Sequence, residues 1–247
     1  MFTLSFTISS YRRHLLNQII RNIESQSALP ERVLIYYSEE PWHLDRGFFK
    51  PPKISSFLPI EFRRVPNIGS CRKYLYTLRE YYGHDKLIMF IDDDVVWRPD
   101  VFKTLLNRLM ADNLGVVTTR GWSEYSIIRN KSGEPILKNN AVQANEIDQK
   151  QEILIANSGW CTLLNAKYVN CSLFDKKLHT DFGLQYSDEI FLSAMTGARK
   201  YVVPIKGKFY HWLDTRIHQW LNGTTSRAKL KQLDLIINRN DYLINSF

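Results

Sequence analysis

Cysteine is scarce in this sequence, and the few cysteines form no recognisable pattern. There are three, Cys71, Cys161 and Cys171, which is an odd number. No spacing between them suggests a zinc knuckle. We therefore expect reduced thiols in a protein that works inside the cell, where disulfides are rare.

Long apolar runs are also lacking. No stretch approaches 18 apolar residues, so the sequence predicts no membrane span. The start of the chain, MFTLSFTISSYRRH, places its arginines after the apolar residues, which reverses the order found in a signal peptide. Neither a Gly-x-x-x-x-Gly-Lys loop nor a dinucleotide-binding glycine fingerprint occurs in the sequence. These absences favour a cytoplasmic protein and remove two common nucleotide-binding signatures.

Acidic residues are fewer than basic ones. The chain has 25 Asp and Glu against 33 Lys and Arg, which gives a formal charge of +8. A basic surface attracts nucleic acid, anionic lipid or an anionic substrate, although it also serves ordinary solubility. The sequence has no run of five like charges and no basic-aromatic repeat of the kind that binds single strands, so we predict no nucleic-acid partner.

Short apolar strands alternate with amphipathic helices through the first half of the chain. With 44% hydrophobic residues among 247, the chain can bury a sizeable core. The predicted strands cover residues 2–9, 32–38, 60–65, 86–91 and 114–119. This alternation predicts an α/β protein with a mostly parallel, doubly wound sheet flanked by helices. In such a sheet a ligand binds along the edge where the strands end.

The second half of the sequence is less regular. Residues 123–152 read as a polar excursion with a hairpin around NKSGEP. A strand in WCTLLN, a helix in SDEIFLSAMTG and a strand in KYVVPI follow. We find no internal repeat and no low-complexity linker, so we predict one continuous domain over residues 1–247.

Three consecutive carboxylates, Asp92, Asp93 and Asp94, follow the fourth predicted strand in KLIMFIDDDVVWRPD. Carboxylates this close together repel one another. If the extended strand continues through them, Asp92 and Asp94 face one side of the sheet and Asp93 faces the other. Two carboxylates on one side predict a site for a hard divalent cation, Mg²⁺ or Mn²⁺. The alternative is a solvated turn or helix cap, which needs only one Asp.

The order and spacing of these motifs resemble the GT-A glycosyltransferases, most closely the large family 2 group. That family opens with a strand, a short turn and an Arg-bearing helix, as in FTISSYRRHLLNQIIRNIESQS. It carries an Asn-x-Gly-x-x-x-Arg motif before a helix, which NIGSCRK from Asn67 to Lys73 matches. An Asp-x-Asp after an apolar strand, with a proline a few residues on, is matched by Asp92, Asp94 and Pro99.

The resemblance implies a GT-A (Rossmann-like) fold and hexosyl or related glycosyl transfer. A UDP- or GDP-sugar would be the donor, and a glycan or lipid-linked saccharide would be the acceptor. Residues 1–120 would form the half that binds the nucleotide-sugar, and residues 121–247 would form the acceptor-binding half. The implied nucleotide contacts are Thr7, Ser9, Tyr11, Glu39, Asn67, Arg72, Lys73, Asp92 and Asp93. The implied ligands of the divalent cation, Mn²⁺ or Mg²⁺, are Asp92, Asp94 and His211.

Asp188 and Glu189 precede the amphipathic helix that is predicted in the second half. Acids at a helix N-terminus are also favoured by the helix dipole, without any catalytic role. The resemblance implies a catalytic base, which takes a proton from the acceptor hydroxyl during inverting transfer. The family often has the order Glu-Asp, which is reversed here, so the choice between the two acids stays open.

Several aromatic-rich positions have two interpretations. His211, in FYHWLD, matches a third metal ligand found in some GT-A enzymes, but a lone histidine among aromatics often only packs. Trp160 in NSGWC and Trp122 in TRGWSE would either stack on a sugar ring or belong to the core.

Two other functions fit parts of the sequence. A sugar nucleotidyltransferase shares a similar sheet but usually has a glycine-rich loop after the first strand, where this chain reads SSYRRH. A non-catalytic basic module for nucleic acid or membrane would need none of the acids at positions 92, 94, 188 and 189. The predicted helix at residues 226–238 has one apolar side, which would pack on the sheet or meet anionic lipid at the inner membrane face.

Overall fold

The structure is a computed structural model, and it describes residues 1–129, 135–181 and 189–213. Its strands are β1 (Phe2–Thr7), β2 (Arg32–Tyr37), β3 (Ile60–Arg64), β4 (Leu87–Phe90), β5 (Val95–Trp97), β6 (Val116–Thr118), β7 (Arg120–Arg129), β8 (Pro135–Gln143), β9 (Gln151–Ile153), β10 (Ile155–Ala156), β11 (Thr162–Asn165), β12 (Lys200–Val202) and β13 (Tyr210–Trp212). The helices are α1 (Leu16–Glu24), α2 (Arg72–Glu80), α3 (Val101–Ala111), α4 (Lys176–Asp181) and α5 (Glu189–Ala194). Short 3-10 helices occupy Ser10–Leu15, Gly69–Cys71, Ala166–Tyr168 and Cys171–Phe174.

The central element is an eight-stranded sheet in the order β3-β2-β1-β4-β11-β6-β12-β9. The strands β1 to β4 are parallel, and β6 and β12 are parallel to each other. Only two strands of this sheet run against the rest: β11, which lies between β4 and β6, and β9 at one edge. The sheet is therefore mostly parallel, which confirms the predicted α/β class.

The central strands are buried on both faces, and in β1 one face carries Phe2, Leu4 and Phe6 while the other carries the hydroxyl residues Thr3, Ser5 and Thr7. Every residue of β1 is buried, and so is every residue of β2 after Arg32. The sequence predicts one apolar helical face made of Leu15, Leu16, Ile19, Ile20 and Ile23, and all five are buried: Leu15 ends the 3-10 helix before α1, and the other four lie in α1. Burying each aliphatic side chain of this size contributes about 1.5–3 kcal/mol, so this stripe fixes α1 on the sheet.

A second, three-stranded sheet has the order β10-β7-β8 and contains the long polar hairpin. The antiparallel pairing of β7 with β8 confirms the predicted hairpin, and the register shifts between Trp122 and Glu124. The turn at residues 130–134 lies outside the described residues.

The short strands β5 and β13 were not predicted from the sequence. They pair with each other in a two-stranded ladder, in which Val95 lies opposite Trp212. This ladder begins directly after the three carboxylates and determines the direction of the chain there.

Some sequence predictions fall on parts of the chain that the structure does not describe. These are Asp188 and the amphipathic helix at residues 226–238. Among the described helices, none combines the length and the apolar character that a membrane crossing requires.

Candidate functional site

The candidate site lies where β1, β2 and β4 end. Parallel strands bring their carboxyl ends to one edge of a sheet, so the segments that follow them meet there. Hydrogen bonds join the turn after β1 to the loop after β2 and to the carboxylates after β4, and join those carboxylates to the start of α2. This is the edge at which the sequence predicted a ligand.

Arg12 joins two of the three carboxylates. Its two terminal nitrogens lie 2.7 Å from an oxygen of Asp93 and 2.6 Å from an oxygen of Asp94. The second oxygen of Asp93 accepts a hydrogen bond from the backbone N–H of Ser9 at 3.0 Å. Arg12 is only 8% exposed. Burial alone would lower the pKa of Arg12, but the charges of Asp93 and Asp94 outweigh this effect and raise it.

The predicted arrangement of the carboxylates is therefore wrong. β4 ends at Phe90, and Asp93 and Asp94 form a turn that leads into β5. Because the backbone turns here, both side chains reach the same guanidinium group instead of opposite sides of a sheet. Their mutual repulsion is offset by the positive charge of Arg12, and both are buried.

Asp92 has a different partner and a different environment. One of its oxygens lies 2.8 Å from the ammonium nitrogen of Lys73, whose side chain is buried. The Asp92 side chain is 33% exposed, so part of its carboxylate is open to a ligand. The structure thus brings together two residues, Lys73 and Asp92, for which the resemblance implies nucleotide contacts.

Gly159, from the second half of the chain, packs directly against Asp92. A methyl group in place of its hydrogen would lie 1.8 Å from an oxygen of the Asp92 carboxylate. The loop that carries Gly159 is well braced, since the side chain of Asn157 accepts a hydrogen bond from the Gly159 N–H at 3.3 Å. Cys161, in the same loop, has a φ of 48°, which is unusual for a residue with a side chain. Only glycine fits beside Asp92 without displacing it.

Asp45 links three segments around the site and is itself buried. One of its oxygens accepts hydrogen bonds from the backbone N–H groups of Ser10 and Gly47, at 2.9 and 3.1 Å. The other accepts from the Asn67 amide at 3.2 Å and from the Arg72 guanidinium at 3.0 Å. Asp45 therefore holds the turn after β1, the loop after β2 and the start of α2 in fixed relation.

The acid after β2 was predicted to be Glu39, whose contact with a nucleotide stays a prediction. Glu39 forms an exposed ion pair with Arg64 at 2.6 Å. Asp45, which sequence reasoning missed, is the buried acid after this strand. The available signal was the Asp-x-Gly at residues 45–47, because Gly47 has a φ of 68° and its neighbourhood leaves no room for a side chain. A turn of that kind often carries an Asp that caps its own backbone.

The remaining predicted residues of the first strand's end also line this edge. Thr7 is buried, and its hydroxyl donates to the Ser70 carbonyl at 3.5 Å. The Tyr11 ring lies 5.4 Å from the Arg12 guanidinium. Burial and then the charge of Asp93 raise the pKa of the Tyr11 hydroxyl.

Glu189 is the first residue of α5 and is buried. The helix is fixed to β10 by a hydrogen bond from the Ala156 N–H to the Ser193 hydroxyl at 3.0 Å. The loop with Gly159 follows β10 directly, so α5, which carries Glu189, packs on the strand that leads into the loop that contacts Asp92. The choice between Asp188 and Glu189 stays a prediction, since Asp188 lies outside the described residues.

The tryptophans of the second half are packing residues. The Trp160 ring is buried against Trp97, Tyr210 and Trp212, with centroid distances of 6.3, 4.6 and 5.3 Å. On its other side the Arg120 guanidinium lies 4.7 Å from the ring centroid. Trp122 is buried in a cluster with Ile155 and Ile190. The core interpretation of both tryptophans is confirmed.

The three predicted metal ligands do not converge. Asp94 is buried on Arg12, while His211 is exposed and lies opposite Val96 in the β5–β13 ladder. Asp94 is buried and has one oxygen on Arg12, so Asp92 is the more accessible carboxylate. Within the described ranges, no group of three His, Cys, Asp or Glu side chains is arranged to hold a metal. The described residues thus do not fit the predicted metal site, and metal dependence stays a prediction.

Comparison with known structures supports the fold. The chain is similar to S. aureus TarS 1–349 in complex with UDP-GlcNAc, with a TM-score of 0.50 and 12% identity. This match covers 87% of the present chain but 59% of the TarS chain, so the protein spans less than two thirds of that structure. It is also similar to HddC from Yersinia pseudotuberculosis, with a TM-score of 0.50, 11% identity and coverage of 93% and 100% of the two chains. No protein-family model and no curated protein sequence matches the chain. At these identities the likeness establishes the GT-A (Rossmann-like) fold.

Proposed function

We propose that the protein is a glycosyltransferase that moves a sugar from a nucleotide-sugar donor to a glycan or lipid-linked saccharide. The observation that carries this proposal is the Lys73–Asp92 pair at the carboxyl edge of the sheet, with Gly159 of the second half packed against it. A similar fold in TarS holds UDP-GlcNAc, which supports a UDP-sugar among the candidate donors.

The donor would lie across the ends of β1 and β4. The partly exposed Asp92 carboxylate is suited to accept a hydrogen bond from a ribose hydroxyl, and the Lys73 ammonium group with which it pairs is suited to face the diphosphate. The nucleobase of the donor would lie towards the loop that Asp45 holds against Ser10 and Asn67. A cation beside the diphosphate favours departure of the nucleoside diphosphate, because negative charge grows on that leaving group.

The acceptor would be activated by the acidic pair at the start of α5. In inverting transfer the acceptor oxygen bonds to the anomeric carbon as the bond from that carbon to the diphosphate oxygen breaks. The proton of the acceptor hydroxyl then passes to a carboxylate, for which Glu189 and Asp188 are the candidates. A general base of this kind contributes about 10²–10⁴-fold to the rate.

A divalent cation, Mn²⁺ or Mg²⁺, is the remaining part of this prediction. Such an ion, when bound, neutralises charge on a leaving diphosphate. Asp92 would offer it a partly exposed carboxylate, whereas Asp94 is buried and already has one oxygen on Arg12. Comparing activity with Mn²⁺ and with a chelator tests this part separately from the assignment of the donor.

Nucleotide binding is the first test of the proposal. We expect UDP or GDP to raise the melting temperature by roughly 5–11 °C at 100 times its dissociation constant, since that excess stabilises the native state by about 2.7 kcal/mol. Asp92→Asn should lose most of this shift. Asp100 is a half-exposed acid that pairs with Arg98 instead, so Asp100→Asn is the matched control and should keep the shift.

Product analysis then separates the two enzyme classes. Transfer or slow hydrolysis of a nucleotide-sugar would support glycosyl transfer. Formation of a nucleotide-sugar from a nucleoside triphosphate and a sugar phosphate would instead assign a nucleotidyltransferase. If no nucleoside diphosphate or nucleotide-sugar shifts the melting temperature of the wild-type protein, the proposal is wrong.

A further inference from the structure

The segment at residues 46–59, which we call the β2–β3 segment, has an unusual composition. It reads RGFFKPPKISSFLP and contains three phenylalanines and three basic residues but no acidic residue. The nucleotide-binding role proposed above uses none of its aromatic or lysine side chains. Its composition combines apolar and cationic groups, which is typical of surfaces that meet lipid headgroups.

The segment is anchored at both ends and crosses one side of the molecule. Phe48 is buried and stacks on Tyr37 with a centroid distance of 5.1 Å, and its N–H donates to the Ser38 carbonyl just after β2. At the other end, the Pro59 carbonyl accepts a hydrogen bond from Val33 at the start of β2. The segment therefore runs alongside the whole of β2, a length of about 17 Å at 3.3 Å per residue.

Between these anchors Leu58 is buried and Ile54 packs partly buried against the core, but two phenylalanines point outward. Phe49 is 77% exposed and Phe57 is 69% exposed, although both are large aromatic residues. Lys50 and Lys53 lie between them and are also exposed. Two prolines at positions 51 and 52 restrict the backbone, so the conformational entropy lost by this segment on binding would be small.

We propose that the β2–β3 segment docks the protein on a membrane surface that contains anionic lipid. The two exposed phenylalanines would enter the boundary between headgroups and acyl chains, and the two lysines would contact the anionic headgroups. The charges are complementary, because the segment itself has no carboxylate that the headgroups would repel. The nearby acid Glu24 is engaged, since its carboxylate accepts from the Ser56 hydroxyl and the Phe57 N–H.

This surface adjoins the candidate site. The backbone N–H of Arg46 donates to the Ser10 hydroxyl at 2.7 Å, and Asp45 precedes it in the chain. Docking would therefore place the nucleotide-binding edge close to the lipid surface. The proposal goes beyond the glycosyltransferase assignment and does not depend on it, because it rests on exposed side chains outside the candidate site.

Vesicle co-sedimentation tests the proposal on the full chain. We expect the protein to bind vesicles of phosphatidylcholine with phosphatidylglycerol at low salt and to dissociate from them as the salt concentration rises. It should not bind vesicles of phosphatidylcholine alone. Lys50→Gln with Lys53→Gln should weaken binding about 30-fold, as expected for two cations near an anionic surface. Phe49→Ser with Phe57→Ser should weaken it by about tenfold or more, because the apolar insertion is lost.

Matched controls come from elsewhere on the surface. Met110→Ser removes a 68% exposed apolar side chain from α3, and Lys176→Gln with Lys177→Gln removes two exposed charges from α4. Both controls should bind as the wild type does, and all variants should keep the wild-type melting temperature. Undiminished binding by either segment variant would overturn the proposal and assign lipid binding to another surface. Absence of vesicle binding by the wild type would also overturn the proposal. So would self-association of the wild type that increases with concentration in sedimentation velocity and is abolished by Phe49→Ser with Phe57→Ser.

Discussion

Replacing Arg12 with methionine is expected to leave two buried carboxylates close together without their cation. Arg12 contacts both Asp93 and Asp94, and all three residues are buried. Methionine is unbranched and adaptable, so the substitution removes the charge while leaving little empty space. Removing one partner of a buried ion pair costs about 3–5 kcal/mol of unfolding free energy. That is a large part of the 5–15 kcal/mol that stabilises a typical domain.

The assay is thermal and urea denaturation followed by circular dichroism at neutral pH. For a chain of this size the loss corresponds to a decrease of roughly 6–20 °C in melting temperature. A second variant adds Asp93→Asn and Asp94→Asn to Arg12→Met, which removes the uncompensated charges. Because replacing a whole buried ion pair is often neutral, this triple variant should regain most of the lost stability. A loss below about 1 kcal/mol for Arg12→Met would refute the reasoning, and so would a triple variant less stable than the single one.

Three further predictions follow from the same edge of the sheet. Mn²⁺ should raise the melting temperature of Arg12→Met more than that of the wild type, because two carboxylates without their guanidinium form a better cation site; equal shifts would contradict this. Gly159→Ala should displace the Asp92 carboxylate and lower turnover by about 10²-fold, with little change in melting temperature. Its control, Gly197→Ala, would meet only one atom, at 3.7 Å, and should leave turnover unchanged. Asp188→Asn with Glu189→Gln should reduce turnover by about 10²-fold or more while donor binding, measured by calorimetry, persists; near-normal turnover would assign the base elsewhere.

Local patterns predicted the elements that carry the site. The apolar runs of β1, β2 and β4 and the stripe on α1 depend only on neighbouring residues, and the structure places each within a few residues of its predicted bounds. Parallel pairing then brings their ends together, so the edge where the ligand was expected follows from the order of the elements. The parallel arrangement of the strands β1 to β4 could therefore be predicted from the sequence.

The arrangement of the carboxylates depended on contacts that no local pattern contains. Val95–Trp97 forms a strand only because it pairs with Tyr210–Trp212, which lies more than a hundred residues later. That pairing converts the supposed end of β4 into a turn. The sequence does contain one indication of the partner of these acids, Arg12. A basic residue near the start of a helix interacts unfavourably with the helix dipole, so it predicts a nearby acid that compensates.

Asp45 shows a different limit of predicting site residues from the sequence. It lies in a polar passage with neither helical nor strand periodicity, where the acid nearest to β2 was the natural choice. Its importance comes from four hydrogen bonds to three separate segments, which only the folded backbone brings together.

The position of β1 in the sheet has a consequence for synthesis on the ribosome. β1 is made before β2 and β4, yet it lies between them in the sheet, and Arg12 precedes its partner Asp93 by 81 residues. At 5–20 residues per second, that acid is synthesised about 4–16 s after Arg12. Throughout this interval a strand that is fully buried in the finished fold has one open hydrogen-bonding edge, which is a template for wrong pairing. The order of strands in the sheet, more than the hydrophobicity of any one of them, thus sets how long the nascent chain needs protection from aggregation.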